Sequence, residues 1–239
     1  MVKAVLFDLD DTLFDHRGCA REALAAVQGC HDRFRSMPFD ALERAHARFL
    51  EELHADVMLG RVPLETARIE RFRRLLAAMD VPSGEGLAAR IATTYRDTYR
   101  TARRAVSGAP ALLAAIRSHA RIAIVSNNLL EEQQEKLRTC GLDEFVDALV
   151  VSEEAGTSKP DPAIFRLALD RLHALSGDAV MVGDSWAADV VGARAAGIRA
   201  IWFNPDDALA PAGETAVPEL RALEPVDAAL RMILDTDRD

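Results

Sequence analysis

Short apolar runs recur along the chain at 4–8 (AVLFD), 121–126 (RIAIVS), 147–151 (DALVV), 179–183 (AVMVG) and 198–203 (IRAIWF). Each is too short for a helix, rich in β-branched residues, and bounded by polar residues or glycine, the pattern of strands covered on both faces. From residue 106 onward these runs alternate with segments of helical period at 109–119, 129–139, 161–173 and 187–196. That alternation predicts βαβ units and an α/β fold with a doubly wound parallel sheet.

Residues 16–104 break the alternation. They hold no convincing strand and read as amphipathic helices, with interruptions at Pro38, Gly60 to Pro63 and Pro82 to Gly86. An all-helical block between the first strand and the rest of a sheet predicts an insertion: a core from 1–15 and 105–239, and a helical cap domain at 16–104. The segment NPDDALAPAGETAVPELRAL is loop-rich. A short edge strand is expected near 216–219 and a last helix at 225–234.

Composition narrows the function. With 239 residues, about half of them apolar, the chain has enough material for a packed core. A formal net charge of −9 argues against a nucleic-acid or anionic-membrane partner; a small anion held in a local basic pocket stays open. Cys19, Cys30 and Cys140 form no C-x-x-C pair, which predicts neither a disulfide framework nor a zinc knuckle and suits a cytoplasmic protein. No signal-peptide pattern precedes the first strand, and no apolar run approaches the roughly 18 residues that span a bilayer. The histidines show no metal-binding spacing.

The candidate chemistry sits at strand ends. In AVLFDLDDTLF, Asp8, Asp10 and Asp11 interrupt a stretch otherwise built for burial, at the edge where α/β sheets hold their ligands. Ser126-Asn127-Asn128 follows the second strand, Lys159-Pro160 precedes a helix, and Gly183-Asp184-Ser185 with Asp189 follows the fourth. Taken alone, Asp8 and Asp10 would serve equally as an acidic turn capping the next helix, and Ser126 and Asn127 as caps for a helix starting at Leu129. Four such elements in order make those readings poor.

D-x-D-x-T, a serine, a lysine and G-D-x-x-x-x-D in this order resemble the haloacid dehalogenase-like hydrolase superfamily, and GTSKPDPAIF and VGDSWAADVVGARAAGI extend the likeness along essentially the whole chain. The resemblance implies a Rossmann-like core of strand order 3-2-1-4-5, bringing Asp8 and Asp184 together at the switch point. It implies a phosphatase in which Asp8 is the nucleophile forming an aspartyl-phosphate, and Asp10 is general acid and then base. Crowding by neighbouring carboxylates is expected to raise the proton affinity of Asp10.

Ser126, Asn127 (through its backbone N–H) and Lys159 would bind the phosphate. Asp8, Asp184 and the carbonyl of Asp10 would hold the metal. Thr12 would fix the loop aiming Asp10, and Asp189 would orient Lys159 or a metal-bound water. A phosphate dianion with Asp8, Asp184 and Asp189 carries about −5, of which Mg²⁺ and Lys159 return about +3. All-oxygen ligands favour Mg²⁺ over zinc.

Asp11 has no role in these motifs and is expected at the surface or as a cap. The presence of Asp10 sets the chain apart from dehalogenases and phosphonate hydrolases of the superfamily. The expected substrate is a small phosphorylated metabolite, a nucleotide or sugar phosphate, acted on by a monomer or homodimer. A sugar-phosphate mutase and a non-catalytic binding protein of the same fold remain alternatives. The stretch LGRVPLETARIERF (59–72) is similar to caps of the 5′-nucleotidase and N-acylneuraminate-9-phosphatase branch, although its Arg71 and Phe72 serve equally as helix packing and surface.

Overall fold

The computed structural model describes residues 1–82 and 86–235. The chain divides into two compact units, Met1–Asp15 with Arg104–Asp239, and His16–Arg103.

Six strands build the first unit: β1 (Ala4–Phe7), β2 (Arg121–Ser126), β3 (Ala148–Val151), β4 (Ala179–Gly183), β5 (Arg199–Phe203) and β6 (Glu219–Leu220). They form one all-parallel sheet in the order β3-β2-β1-β4-β5-β6. The expected order 3-2-1-4-5 is therefore present, with β6 added beside β5. This edge strand falls at Glu219–Leu220, slightly beyond the 216–219 that the sequence suggested.

Between β1 and β2 the chain builds the second unit from α1 (His16–Gln28), α2 (Asp32–Arg35), α3 (Phe39–Met58), α4 (Leu64–Ala77) and α5 (Leu87–Thr101). The first unit resumes with α6 (Ala109–Arg117), α7 (Leu130–Thr139), α8 (Ser152–Ala155), α9 (Pro162–Leu172), α10 (Val191–Ala195) and α11 (Val226–Leu234).

All four residues of β1 are fully buried, because neighbouring strands cover its edges and helices cover the sheet. Successive side chains point to opposite faces. Ala4 and Leu6 join Ala123, Val125, Met181 and Trp202 against Ile164, Phe165 and Ala168 of α9. Val5 and Phe7 face the other way with Ile122, Ile124, Val180 and Val182, all without solvent exposure. Each such side chain contributes about 1.5–3 kcal/mol of burial free energy, which makes the centre of the sheet a rigid base for the loops at its edge.

The helical unit has a core of its own. Buried residues recur at helical spacing: Leu42, His46, Phe49 and Leu53 on α3, Ala67, Arg71, Phe72, Leu75 and Leu76 on α4, and Ala88, Ile91, Ala92 and Tyr95 on α5. Two members of these apolar stripes, His46 and Arg71, are not apolar. Among the described residues no helix is long and apolar enough to cross a membrane.

Candidate active site

The sheet register sets the first pair of acids side by side. Phe7 of β1 aligns with Val182 of β4, and the Asp8 N–H continues the ladder to the Val182 carbonyl at 2.9 Å. Asp8 and Asp184 thus leave adjacent strands at the carboxyl edge, where β2 and β4 lie on opposite sides of β1. Carboxylate oxygens of Asp8, Asp184 and Asp189 lie within 4.8 Å of one another. The Lys159 ammonium donates to Oδ1 of Asp8 at 2.5 Å and to Oδ1 of Asp189 at 2.6 Å. Asp8, Lys159 and Asp189 are all buried.

Three carboxylates against one ammonium leave an excess of negative charge. Burial pushes the Asp8 carboxyl well above the usual range; Lys159 opposes the rise, while Asp189 and Asp184 add to it. Asp184 is pushed up to about 7, first by burial and then by the charges of Asp189 and Asp11. Burial works to lower the Lys159 pKa, but Asp189 and Asp8 outweigh it and the net shift is upward. The group holds more negative charge than its own lysine balances, and its free donors are carboxylate oxygens. That donor set fits a hard divalent cation.

Local backbone features bring Asp189 inward. A π-helical turn at Trp186–Val190 stands where the sequence predicted the start of a regular helix, and α10 follows it. Asp189 Oδ2 accepts from the Ser185 N–H at 3.0 Å, and Ser185 Oγ accepts from the Ala188 N–H at 3.2 Å. Gly183 permits this fold of the loop: a Cβ there would lie 2.3 Å from Asp189 Oδ2. Trp202 Nε1 donates to the Asp184 carbonyl at 2.8 Å and braces the same loop from β5.

Asp10 stands apart from this cluster. Its carboxylate accepts from the Lys136 ammonium at 2.5 and 2.8 Å, from Gln133 Nε2 at 3.0 Å and from Asn128 Nδ2 at 3.2 Å. Crowding by carboxylates acts on Asp8 and on Asp184.

Lys136 and Gln133 were not singled out from sequence. Both are buried on α7, where Leu130, Gln133 and Leu137 follow the spacing of a core-facing stripe. A glutamine inside such a stripe was the available signal. Lys136 also lies 5.1 Å from the Phe14 ring centroid.

The remaining residues tie the loops together. Gln133 Nε2 donates to Ser126 Oγ at 2.6 Å. Asn127 Nδ2 donates to the Lys159 carbonyl at 2.9 Å, and Asn127 Oδ1 accepts from the Lys159 N–H at 2.8 Å. Neither Ser126 nor Asn127 caps α7, whose Leu130 N–H donates to Glu153 at 2.8 Å. Thr12 Oγ1 accepts from the Asp184 N–H at 3.1 Å, so the hydroxyl joins the first loop to the fourth. Asp11 is part-buried, with φ of 60°, and its charge acts on Asp184.

Comparison with known proteins gives the same assignment. The family model for haloacid dehalogenase-like hydrolases matches residues 2–197. The ribulose-1,5-bisphosphate 5-phosphatase of Halopiger xanaduensis is 31% identical over 210 residues, covering 87% of each chain. The phosphoserine phosphatase of Thermus thermophilus is 33% identical, covering 92% of this chain and 95% of its own. Among solved structures, the magnesium-bound HAD-hydrolase YfnB of Bacillus subtilis superposes with a TM-score of 0.74 at 25% identity, covering 96% of this chain and 99% of that one. From its matched length, its parallel sheet and its curated relatives, the chain belongs to the haloacid dehalogenase-like hydrolases and is a phosphatase.

Proposed function

We propose that the protein is a Mg²⁺-dependent phosphatase that hydrolyses a phosphate monoester of a small metabolite through an aspartyl-phosphate on Asp8. The observation that carries this reading is the convergence of Asp8, Asp184 and Asp189 around Lys159, close enough for the acids to share one cation. The relatives named above act on ribulose bisphosphate and phosphoserine, both small phosphorylated metabolites. The magnesium in YfnB supports the choice of ion.

Asp8, Asp184 and the backbone carbonyl of Asp10 would hold Mg²⁺, which when bound supplies the positive charge that lets an anionic oxygen approach an anionic ester. Lys159, by gripping Oδ1 of Asp8, fixes the rotation of that carboxylate and favours its anion, the form that attacks phosphorus. Asp189 holds Lys159 in place. Ser126 Oγ accepts a hydrogen bond from Gln133, so its own proton is left to donate to a phosphoryl oxygen. Asn127 keeps the Lys159 loop at the correct height through its paired bonds, and its backbone N–H is a second donor to the phosphate.

Asp10 is the acid that protonates the leaving oxygen and then the base that takes a proton from the hydrolytic water. Lys136, Gln133 and Asn128 hold its carboxylate between these steps. The helical unit His16–Arg103, inserted after the first motif, acts as a cap that excludes water.

The test is phosphate release from a panel of phosphorylated metabolites with and without Mg²⁺. Turnover that requires Mg²⁺ and vanishes in a folded Asp8→Asn variant is expected. Unchanged activity in that variant would refute the nucleophile assignment.

A further inference from the structure

We infer that the helical unit carries an oxyanion site of its own, built on the guanidinium of Arg71 and walled by His46, Phe72 and Tyr95, which takes a carboxylate or phosphoryl group.

Arg71 lies on the apolar stripe of α4 and is 8% exposed. Its guanidinium carbon sits 4.7 Å from the Tyr95 ring centroid and 5.0 Å from that of Phe72. Those ring faces attract the cation but offer no acceptor in the plane of its five N–H donors. Among the described residues no carboxylate pairs with Arg71, and its buried Nε has no hydrogen-bond partner. The acids of its own helix are committed elsewhere: Glu65 pairs with Arg68 and Arg96, and Glu70 with Arg73 and Arg74.

A second orphan stands beside it. His46, 3% exposed on α3, packs with its ring tilted against that of Tyr95 at 4.8 Å between centroids, and its buried Nε2 also lacks a partner. The pKa shifts agree with surroundings short of negative charge. Burial lowers that of Arg71, with Arg68 adding to the effect and Tyr95 and Tyr99 opposing it. Burial, Arg71 and His16 lower that of His46. A buried cation is retained only where something balances it, and a planar guanidinium on an aromatic shelf matches a bidentate oxyanion.

The anion has two candidate sources: a second anionic group on the substrate, which rests on the phosphatase reading above, or a free oxyanion, which does not. The probe is malonate, titrated calorimetrically into the metal-free full-length protein. The wild type binds it saturably, and Arg71→Met loses at least about tenfold in affinity, the scale of one charge-assisted hydrogen bond. No binding by the wild type, or equal binding by both, overturns the site.

If Arg71→Met does not fold, Arg71→Lys keeps the charge without the fork, and an unchanged malonate affinity overturns the proposal. Kinetics then assign the source. If Arg71→Met lowers kcat/KM for phosphoserine at least about tenfold more than for phenyl phosphate, the substrate supplies the anion. If the two fall alike while malonate binding is lost, a free oxyanion occupies the site. Since the titration needs neither Mg²⁺ nor turnover, its failure would leave the phosphatase reading untouched.

Discussion

Replacing Lys159 by methionine removes the single cation from the acidic cluster while keeping most of the side-chain volume. The ammonium sits 2.5 Å from Asp8 and 2.6 Å from Asp189. At an effective dielectric near 20, each contact represents roughly 6 kcal/mol of bare attraction. Desolvation of the buried ions offsets much of that, and removing one partner of a buried pair leaves a net loss of about 3–5 kcal/mol.

The orphaned carboxylates can escape the penalty by taking up protons. The loss should therefore be full near pH 8 and smaller near pH 5, where uptake is easy. For a chain of this size the unfolding midpoint falls roughly 2–4 °C per kcal/mol, giving a drop of about 10 °C at the higher pH. Tryptophan fluorescence in metal-free buffer reads this unit alone. The chain has 2 tryptophans, and Trp186 and Trp202 pack with ring centroids 5.0 Å apart beside the Asp184 loop. Equal midpoints for variant and wild type near pH 8, or a loss that does not shrink near pH 5, would refute the charge argument.

Gly183→Ala forces Asp189 away from Lys159; kcat should fall about 100-fold, as misplacement of a catalytic group by an ångström typically does, and an unaltered kcat would show that the close approach is dispensable. Lys136→Met frees the Asp10 carboxylate from its strongest holder. Turnover of alkyl phosphates should drop about 10- to 100-fold, with a smaller loss for aryl phosphates, whose leaving groups need less help from an acid; equal losses on both would count against Asp10 as the proton donor that Lys136 holds.

His46 gives a pH dependence in the helical unit. Its pKa is depressed below the ordinary 6.5, so the unfolded chain binds the proton more readily; the stabilising contribution is complete above that value and is lost as pH falls. His46→Phe should hold its stability on acidification, narrowing its difference from the wild type by up to about 1.4 kcal/mol per pH unit below that point, and parallel profiles in acid unfolding followed by circular dichroism would contradict the assignment.

The sheet was legible because β1 to β5 are short apolar runs between polar bounds, and none differs from its expected span by more than one residue. Asp8 and Asp184 were legible because each follows such a run, and Lys159 and Asp189 because they complete the ordered motifs that begin with Asp8. The holders of Asp10 were not. LEEQQEKLRT reads as a charged surface helix apart from the Leu130, Gln133 and Leu137 stripe, and only packing decides that Lys136 turns inward as well. The π-helical turn was hidden for another reason: one wide turn has too few residues to leave a period in the sequence. Arg71 was read as helix packing or surface, and it is packed, but without the acid that a buried guanidinium would ordinarily bring with it.

The position of β1 at the middle of the sheet bears on how a nascent chain survives its own synthesis. Ala4–Phe7 emerges from the ribosome long before Arg121–Ile124 and Ala179–Val182, the segments that flank it. At ordinary elongation speeds that interval is on the order of ten seconds. Meanwhile the helical unit can fold from local contacts, while this apolar tetrapeptide stays bare and open to chaperones or to its counterpart on another polysome-bound copy. Mutations that slow translation between the two halves should therefore reduce soluble yield without touching the finished enzyme.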